Sequence, residues 1–178
     1  DNTPLVTKDF AQPDEVEKLI GKNCAELVPD GACLQMGIGA LPNALAVALS
    51  DHKNLGLHTE MFADGILGLI KKGVINGSCK KIDTGKVVAS FLLGSEEVYR
   101  FIDHNPDVLM KDIKYTNDPW VIAQNPNMMA INSAVEVDLT GQISADSIGT
   151  RIFSGTGGQV DFVKGATMSE GGKSVTAF

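Results

Sequence analysis

Apolar positions switch repeatedly between helical and strand spacing along this chain. Val16, Leu19, Ile20, Cys24 and Leu27 recur at helical intervals behind Pro13-Asp14-Glu15, a favourable helix start. Pro29-Asp30-Gly31 then predicts a turn, and Ala32 to Met36 a strand. Gly37 to Pro42 reads as a strand-to-helix turn, with Pro42 suited to the first helical position and Leu41, Leu45, Ala48 and Leu49 on one face behind it. Leu55 and Leu57 predict a short strand ending at Glu60, followed by a helix from Gly65 that carries Ile66, Leu69 and Ile70. Residues 73–85, rich in Gly, Asn, Ser and Lys, read as a loop or a lysine-bearing hairpin. Val87 to Leu93 is apolar enough for a strand buried on both faces of a parallel sheet. Ser95-Glu96-Glu97 opens a helix to about Asn105, with Val98, Phe101 and Ile102 inward.

The second half is less regular. Residues 106–127 hold three prolines, yet Tyr115 and Trp120 require part of that segment to pack. Met128 to Val137 alternates like a strand, a turn follows at 138–141, and 144–151 carries no clear period. Gly155 to Gly158 forms a glycine loop, Val160 to Met168 a short helix or turn, and Ser174 to Phe178 a strand. Strand–helix alternation predicts an α/β domain with a mostly parallel sheet flanked by helices.

Composition narrows the function classes. The 178 residues, 43% of them hydrophobic, suffice for one domain with a real core or for a domain and a half. A net charge of −7 with scattered basic residues argues against a nucleic-acid groove. Lys71-Lys72 and Lys80-Lys81 read as solvated faces. Cys24, Cys33 and Cys79 are odd in number and lack close pairing, which suits a reducing, cytoplasmic setting and argues against disulfides or a metal site. No apolar run is long enough for a membrane span. Residues 1–12 carry no periodic signal and read as a lead-in. A chain that stops within a strand reads as part of a longer protein.

The candidate chemistry centres on Glu60. Ligands of open α/β sheets bind outside the carboxyl ends of the strands. A carboxylate there, beside loops rich in free N–H groups, suits acyl transfer. A strand-end glutamate is also commonly just a solvated one. Strand, Gly37-Ile38-Gly39, helix and then an acid about 20 residues on superficially follows the dinucleotide-binding pattern. Pro42 stands where its third glycine belongs, so the surviving element is a set of N–H groups able to face an anion. Gly155-Thr156-Gly157-Gly158 reads equally as a positive-φ turn or as backbone brought close to a ligand. His58 either tunes Glu60 or meets solvent. Asn117 reads as a turn former.

Five stretches in one order resemble the acetyl-CoA hydrolase/transferase family: Leu34 to Ala44, His58-Thr59-Glu60-Met61, Val121 to Gln124, Ile131 to Ala134 and Ser154 to Phe162. The likeness is greatest to its 4-hydroxybutyrate and butyrate–acetate CoA-transferases. The resemblance implies a class I CoA-transferase fold in which 13–178 is the α/β catalytic domain, with an N-terminal domain and a C-terminal continuation outside it. It implies that the isolated piece is inactive, since family members bind CoA between the halves, and that the whole protein is a homo-oligomer. It makes Glu60 the nucleophile, with His58 and Thr59 as its positioners. Oxyanion or CoA-binding roles fall on Gly37, Ile38, Gly39, Gly157, Gly158 and Asn117, and more weakly on Gln35. Coenzyme A is then a substrate exchanged between an acyl-CoA and a small carboxylate, with no tightly bound cofactor. The alternatives are an acetyl-CoA hydrolase and a non-catalytic nucleotide-binding α/β module.

Overall fold

The computed structural model describes residues 3–8 and 11–178. The lead-in expected over 1–12 therefore lies partly outside the described residues. Helix α1 (Glu15–Ala25) starts from a reciprocal cap, in which Glu17 N donates to Asp14 and Asp14 N to Glu17, each at 2.8 Å. Strand β1 (Cys33–Met36) and helix α2 (Ala40–Ala48) follow. Gly39 caps α2 at φ 116°, a conformation L side chains rarely adopt. Pro42 is the third residue of α2, not the first, and its missing N–H still falls among the groups a first turn leaves unpaired.

Strands β2 (Gly56–His58) and β3 (Met61–Phe62) flank Glu60 and lead into helix α3 (Asp64–Lys71). The apolar run expected as one strand is two, β4 (Val87–Ala89) and β5 (Phe91–Leu92), parted at Ser90. Helix α4 (Glu96–Ile102), strand β6 (Val108–Met110) and short helices α5 (Ile113–Thr116) and α6 (Pro119–Ile122) come next. Strand β7 (Met128–Ser133) leads to the small strands β8 (Glu136–Val137), β9 (Ile143–Ser144), β10 (Ser147–Ile148) and β11 (Arg151–Ile152). The last pair occupies the stretch that carried no period. Helix α7 (Gln159–Met168) and strand β12 (Lys173–Ala177) complete the chain.

Six strands form one parallel sheet in the order β12-β7-β1-β2-β4-β6. Strands after β1 first add on one side, through β2, β4 and β6. The chain then crosses back to place β7 and β12 on the other. Strands β1, β2 and β4 are buried throughout, as helices on both faces demand. On one face Leu34, Met36, Leu57, Met129 and Ile131 pack with residues of α1, α2 and α3. On the other, Cys33, Met128 and Ala130 meet Ile122 of α6 and Phe162 and Ala166 of α7.

Two expectations about exposure fail. In α1 the buried positions are Gly21, Cys24 and Ala25, whereas Val16, Leu19 and the following Leu27 are exposed. Lys80 is no solvated residue. It is buried, and its ammonium donates to Leu57 O at 3.1 Å and to Lys86 O at 2.9 Å.

Candidate active site

The strand order reverses at β1, and α/β sheets bind ligands outside the carboxyl ends of the strands at such a reversal, here the ends of β1, β2 and β7. Glu60 stands at that edge, in the break between β2 and β3. Its own carbonyl spans the matching break across the sheet, accepting from Ser90 N at 2.9 Å and Phe91 N at 3.2 Å. Thr59 is buried and tied on two sides. Its N–H donates to Val88 O at 3.0 Å, and its hydroxyl to Met36 O at 3.1 Å. The second bond joins the residue before Glu60 to the residue before the Gly37-Ile38-Gly39 turn.

The Glu60 carboxylate meets two distant segments. Asn117 Nδ2 donates to its Oε2 at 3.1 Å. Gly158, which caps α7, lies so near that a Cβ there would stand 2.1 Å from Glu60 Oε2 and 2.3 Å from Asn117 Nδ2. The glycine loop, whose Gly157 has φ 54°, therefore has a specific reason for lacking side chains at this point. The N-terminal ends of α2 and α7 both open onto this edge, and a helix N-terminus favours negative charge. Around Gly37 and Gly39 the space is open: a Cβ at either would meet nothing within 4 Å.

Other expected residues are placed differently. Gln35 is buried on β1, and its amide exchanges two 3.1 Å hydrogen bonds with Asn132 of β7, clamping the strands at the reversal. Asp64, four residues beyond Glu60, is engaged elsewhere: it accepts from Ser95 N at 3.1 and 3.2 Å and also from the Ser95 hydroxyl, joining the starts of α3 and α4, and was no part of the expected site. Trp120 is 71% exposed, so Tyr115 alone of that aromatic pair packs inward.

His58 is fully buried and bonds at 2.9 Å to the carbonyl of Thr116, the neighbour of Asn117. A carbonyl only accepts, so Nε2 carries the proton and Nδ1 is a bare acceptor, without a partner among the described residues. Burial is the main cause that pushes this imidazole down to about 4, and it is neutral at pH 7. Consecutive residues, Thr116 and Asn117, thus hold His58 and Glu60.

Two residues had no sequence signal. The buried Thr116 contacts the Ser90 hydroxyl through Oγ1, and the same atom lies 3.2 Å from Asn117 Oδ1. Serine and threonine carry no periodicity, and these two come from segments that only the fold brings to Glu60. Among the described residues no cluster of three or more His, Cys, Asp or Glu could hold a metal ion. No helix among them is long and apolar enough to cross a membrane.

This arrangement joins a carboxylate, an amide donor and a helix N-terminus, which is equipment for covalent acyl chemistry. Comparison with known proteins gives the chain its relatives. The family model of the acetyl-CoA hydrolase/transferase C-terminal domain matches residues 94–178. The chain is 49% identical to the 4-hydroxybutyrate coenzyme A transferase of Clostridium kluyveri over 98% of its own length and 41% of that protein. It is 56% identical to the succinyl-CoA:acetate/propanoyl-CoA:succinate CoA transferase of Fasciola hepatica, over 89% of this chain and 34% of that one. Among solved structures, the 4-hydroxybutyrate CoA-transferase of Porphyromonas gingivalis superposes with TM-score 0.88 at 43% identity, covering 99% of this chain and 41% of that one. The chain spans about two fifths or less of the length of these relatives.

Proposed function

The chain belongs to the acetyl-CoA hydrolase/transferase family, and from that premise we propose that it is the catalytic domain of a CoA-transferase with Glu60 as nucleophile. A Glu60 oxygen attacks the acyl-CoA carbonyl, the C–S bond breaks, and CoA leaves as thiolate from an acyl-glutamyl anhydride. The thiolate attacks the Glu60 carbonyl, the anhydride C–O bond breaks, and the first acid departs as carboxylate. Glu60 is then a CoA thioester. An acceptor carboxylate such as acetate runs the same steps backwards.

Every nucleophile and leaving group in this sequence is an anion, so no proton need move. That suits a site whose histidine is buried and neutral. What each step needs is stabilisation of a tetrahedral oxyanion, where one lost donor costs about 10²–10³ in kcat. We assign that task to Asn117 Nδ2 and to backbone N–H groups of Gly37, Ile38, Gly39, Gly157 and Gly158, which also receive the CoA. Gln35 is assigned to holding Asn132. The observation that carries the reading is the convergence of Asn117 and Gly158 on the Glu60 carboxylate.

In this reading the full-length protein binds CoA between this domain and a second one, as a cytoplasmic homo-oligomer. The free cysteines Cys24, Cys33 and Cys79 support a reducing setting. Borohydride added after acyl-CoA should reduce a Glu60 thioester to the alcohol and abolish turnover, and Glu60→Gln should neither turn over nor be trapped. Unimpaired turnover by Glu60→Gln would sink the assignment. Hydrolase relatives match at lower identity, 28% for the acetyl-CoA hydrolase of Candida albicans, which favours transfer. Free CoA released without added acetate, at the rate seen with it, would favour hydrolysis instead.

A further inference from the structure

The Asn117 amide can serve Glu60 in only one of its two orientations. With Nδ2 inward it donates to Oε2, and with Oδ1 inward it would set an acceptor against a carboxylate. Something must choose between them, and the groups that can do so are in place. Thr116 Oγ1 is in contact with the Ser90 hydroxyl and lies 3.2 Å from Asn117 Oδ1 and 3.4 Å from Ile113 O, so with Ser90 donating into that contact the nearer acceptor left for the Thr116 proton is the amide oxygen. Its lone pairs remain free for the Ser90 hydroxyl, with which it is in contact. The Thr116 carbonyl is independently held by His58. Ser90 in turn is fixed by its N–H on Glu60 O at 2.9 Å.

We propose that Thr116, supported by Ser90, is a positioning residue that locks the Asn117 amide so that its N–H faces Glu60. The donors run one way: Ser90 Oγ–H to Thr116 Oγ1, Thr116 Oγ1–H to Asn117 Oδ1, Asn117 Nδ2–H to Glu60 Oε2. Hydrogen bonds in such a chain polarise one another, and this one ends on an anion. The circuit closes through the Glu60 backbone, so the nucleophile and its donor are registered to the same serine. Neither Ser90 nor Thr116 touches the Glu60 carboxylate, and their effect on it passes through Asn117.

The kinetic test rests on the CoA-transfer reading of Glu60, and the geometric test does not. In the full-length protein carrying this chain, Thr116→Val removes the hydroxyl at nearly constant shape. The expected result is a fall in kcat of about tenfold to a hundredfold, with KM for acyl-CoA within about twofold of normal. Thr116→Ser should recover most of the rate. In an Asn117→Ala background, Thr116→Val should cost nothing further, because its route to Glu60 is gone. Full additivity of the two losses, or an unchanged kcat in Thr116→Val, overturns the proposal. If borohydride still traps CoA on Glu60 in that unchanged enzyme, the relay alone has failed and the reaction stands. If nothing is trapped even in the unaltered protein, the crystal structure of Thr116→Val decides. A turned or displaced Asn117 amide supports the relay, and an amide still donating to Glu60 overturns it.

Discussion

At Gly158 one hydrogen atom decides whether the Glu60 carboxylate fits. A Cβ there would overlap Glu60 Oε2 and Asn117 Nδ2, both at the ends of side chains that can swing aside. Gly158→Ala should therefore fold normally yet lose about 10²-fold in kcat, as read from steady-state rates beside a thermal melt. A large drop in melting temperature would mean that the contact is structural. His58 makes a different prediction. Its folded pKa of about 4 lies below the ordinary 6.5, chiefly through burial, which outweighs the raising effect of the bond to the Thr116 carbonyl, with Lys80 lowering it and Asp83 opposing. Between those values the unfolded chain binds the extra proton, so stability is fully present above about pH 6.5 and falls towards pH 4. The loss amounts to about 3 kcal/mol. Denaturant titrations across that window should show a slope that His58→Gln lacks. Equal slopes would assign the acid sensitivity elsewhere. Glu60 drew attention as a carboxylate at a strand end, but such glutamates are common, and the surrounding motifs were needed to single it out. Thr116 and Ser90 were not legible, because a hydroxyl has meaning only beside its partner. Lys80 misled because its charge says solvent, while two backbone carbonyls say otherwise.

Among the elements, α1 shows what periodicity can and cannot supply. The helical spacing was readable, but the apolar stripe was weighted towards Val16, Leu19 and Leu27, which are exposed. The face that packs on α2 is made of small residues. At Gly21 a Cβ would stand 2.8 Å from Ala44 C and from Leu45 N. Close helix approach selects for missing side chains, and a hydrophobicity pattern scores those positions low. Because the atoms met are backbone, Gly21→Ala cannot be relieved by a rotamer change. It should destabilise by about 1–3 kcal/mol through overpacking, measured as a lower urea midpoint at constant m. A midpoint within error of the original would show that α1 slides freely. Shifting α2 would also shift the Gly37–Gly39 turn at its start, so some loss of CoA affinity should accompany the loss of stability. The split between β4 and β5 at Ser90 was equally illegible: one serine between Val87-Val88-Ala89 and Phe91-Leu92-Leu93 does not announce a break, and the opposing break at Glu60 explains it.

For the molecule as a whole, the α/β class and the parallel sheet followed from the alternation of element types, because burial on both faces leaves a long apolar run in each strand. Strand order did not follow, since spacing within a segment says nothing about its neighbour. That order placed β7 beside β1, as Cys33 with Met128 and Met36 with Ile131, and so put the Gln35–Asn132 clamp at the reversal. One feature of the site, the bond from Asn117 to Glu60 across 57 residues of chain, has a consequence for kinetics. Contacts so remote in sequence must wait for loop closure, and parallel strands cannot pair until their crossovers form. Local helices such as α1 and α7 need no such wait. On dilution from denaturant, far-UV ellipticity should therefore recover before the full-length protein regains its capacity to be trapped at Glu60. Recovery of both in a single phase would mean that this parallel sheet assembles as early as its helices.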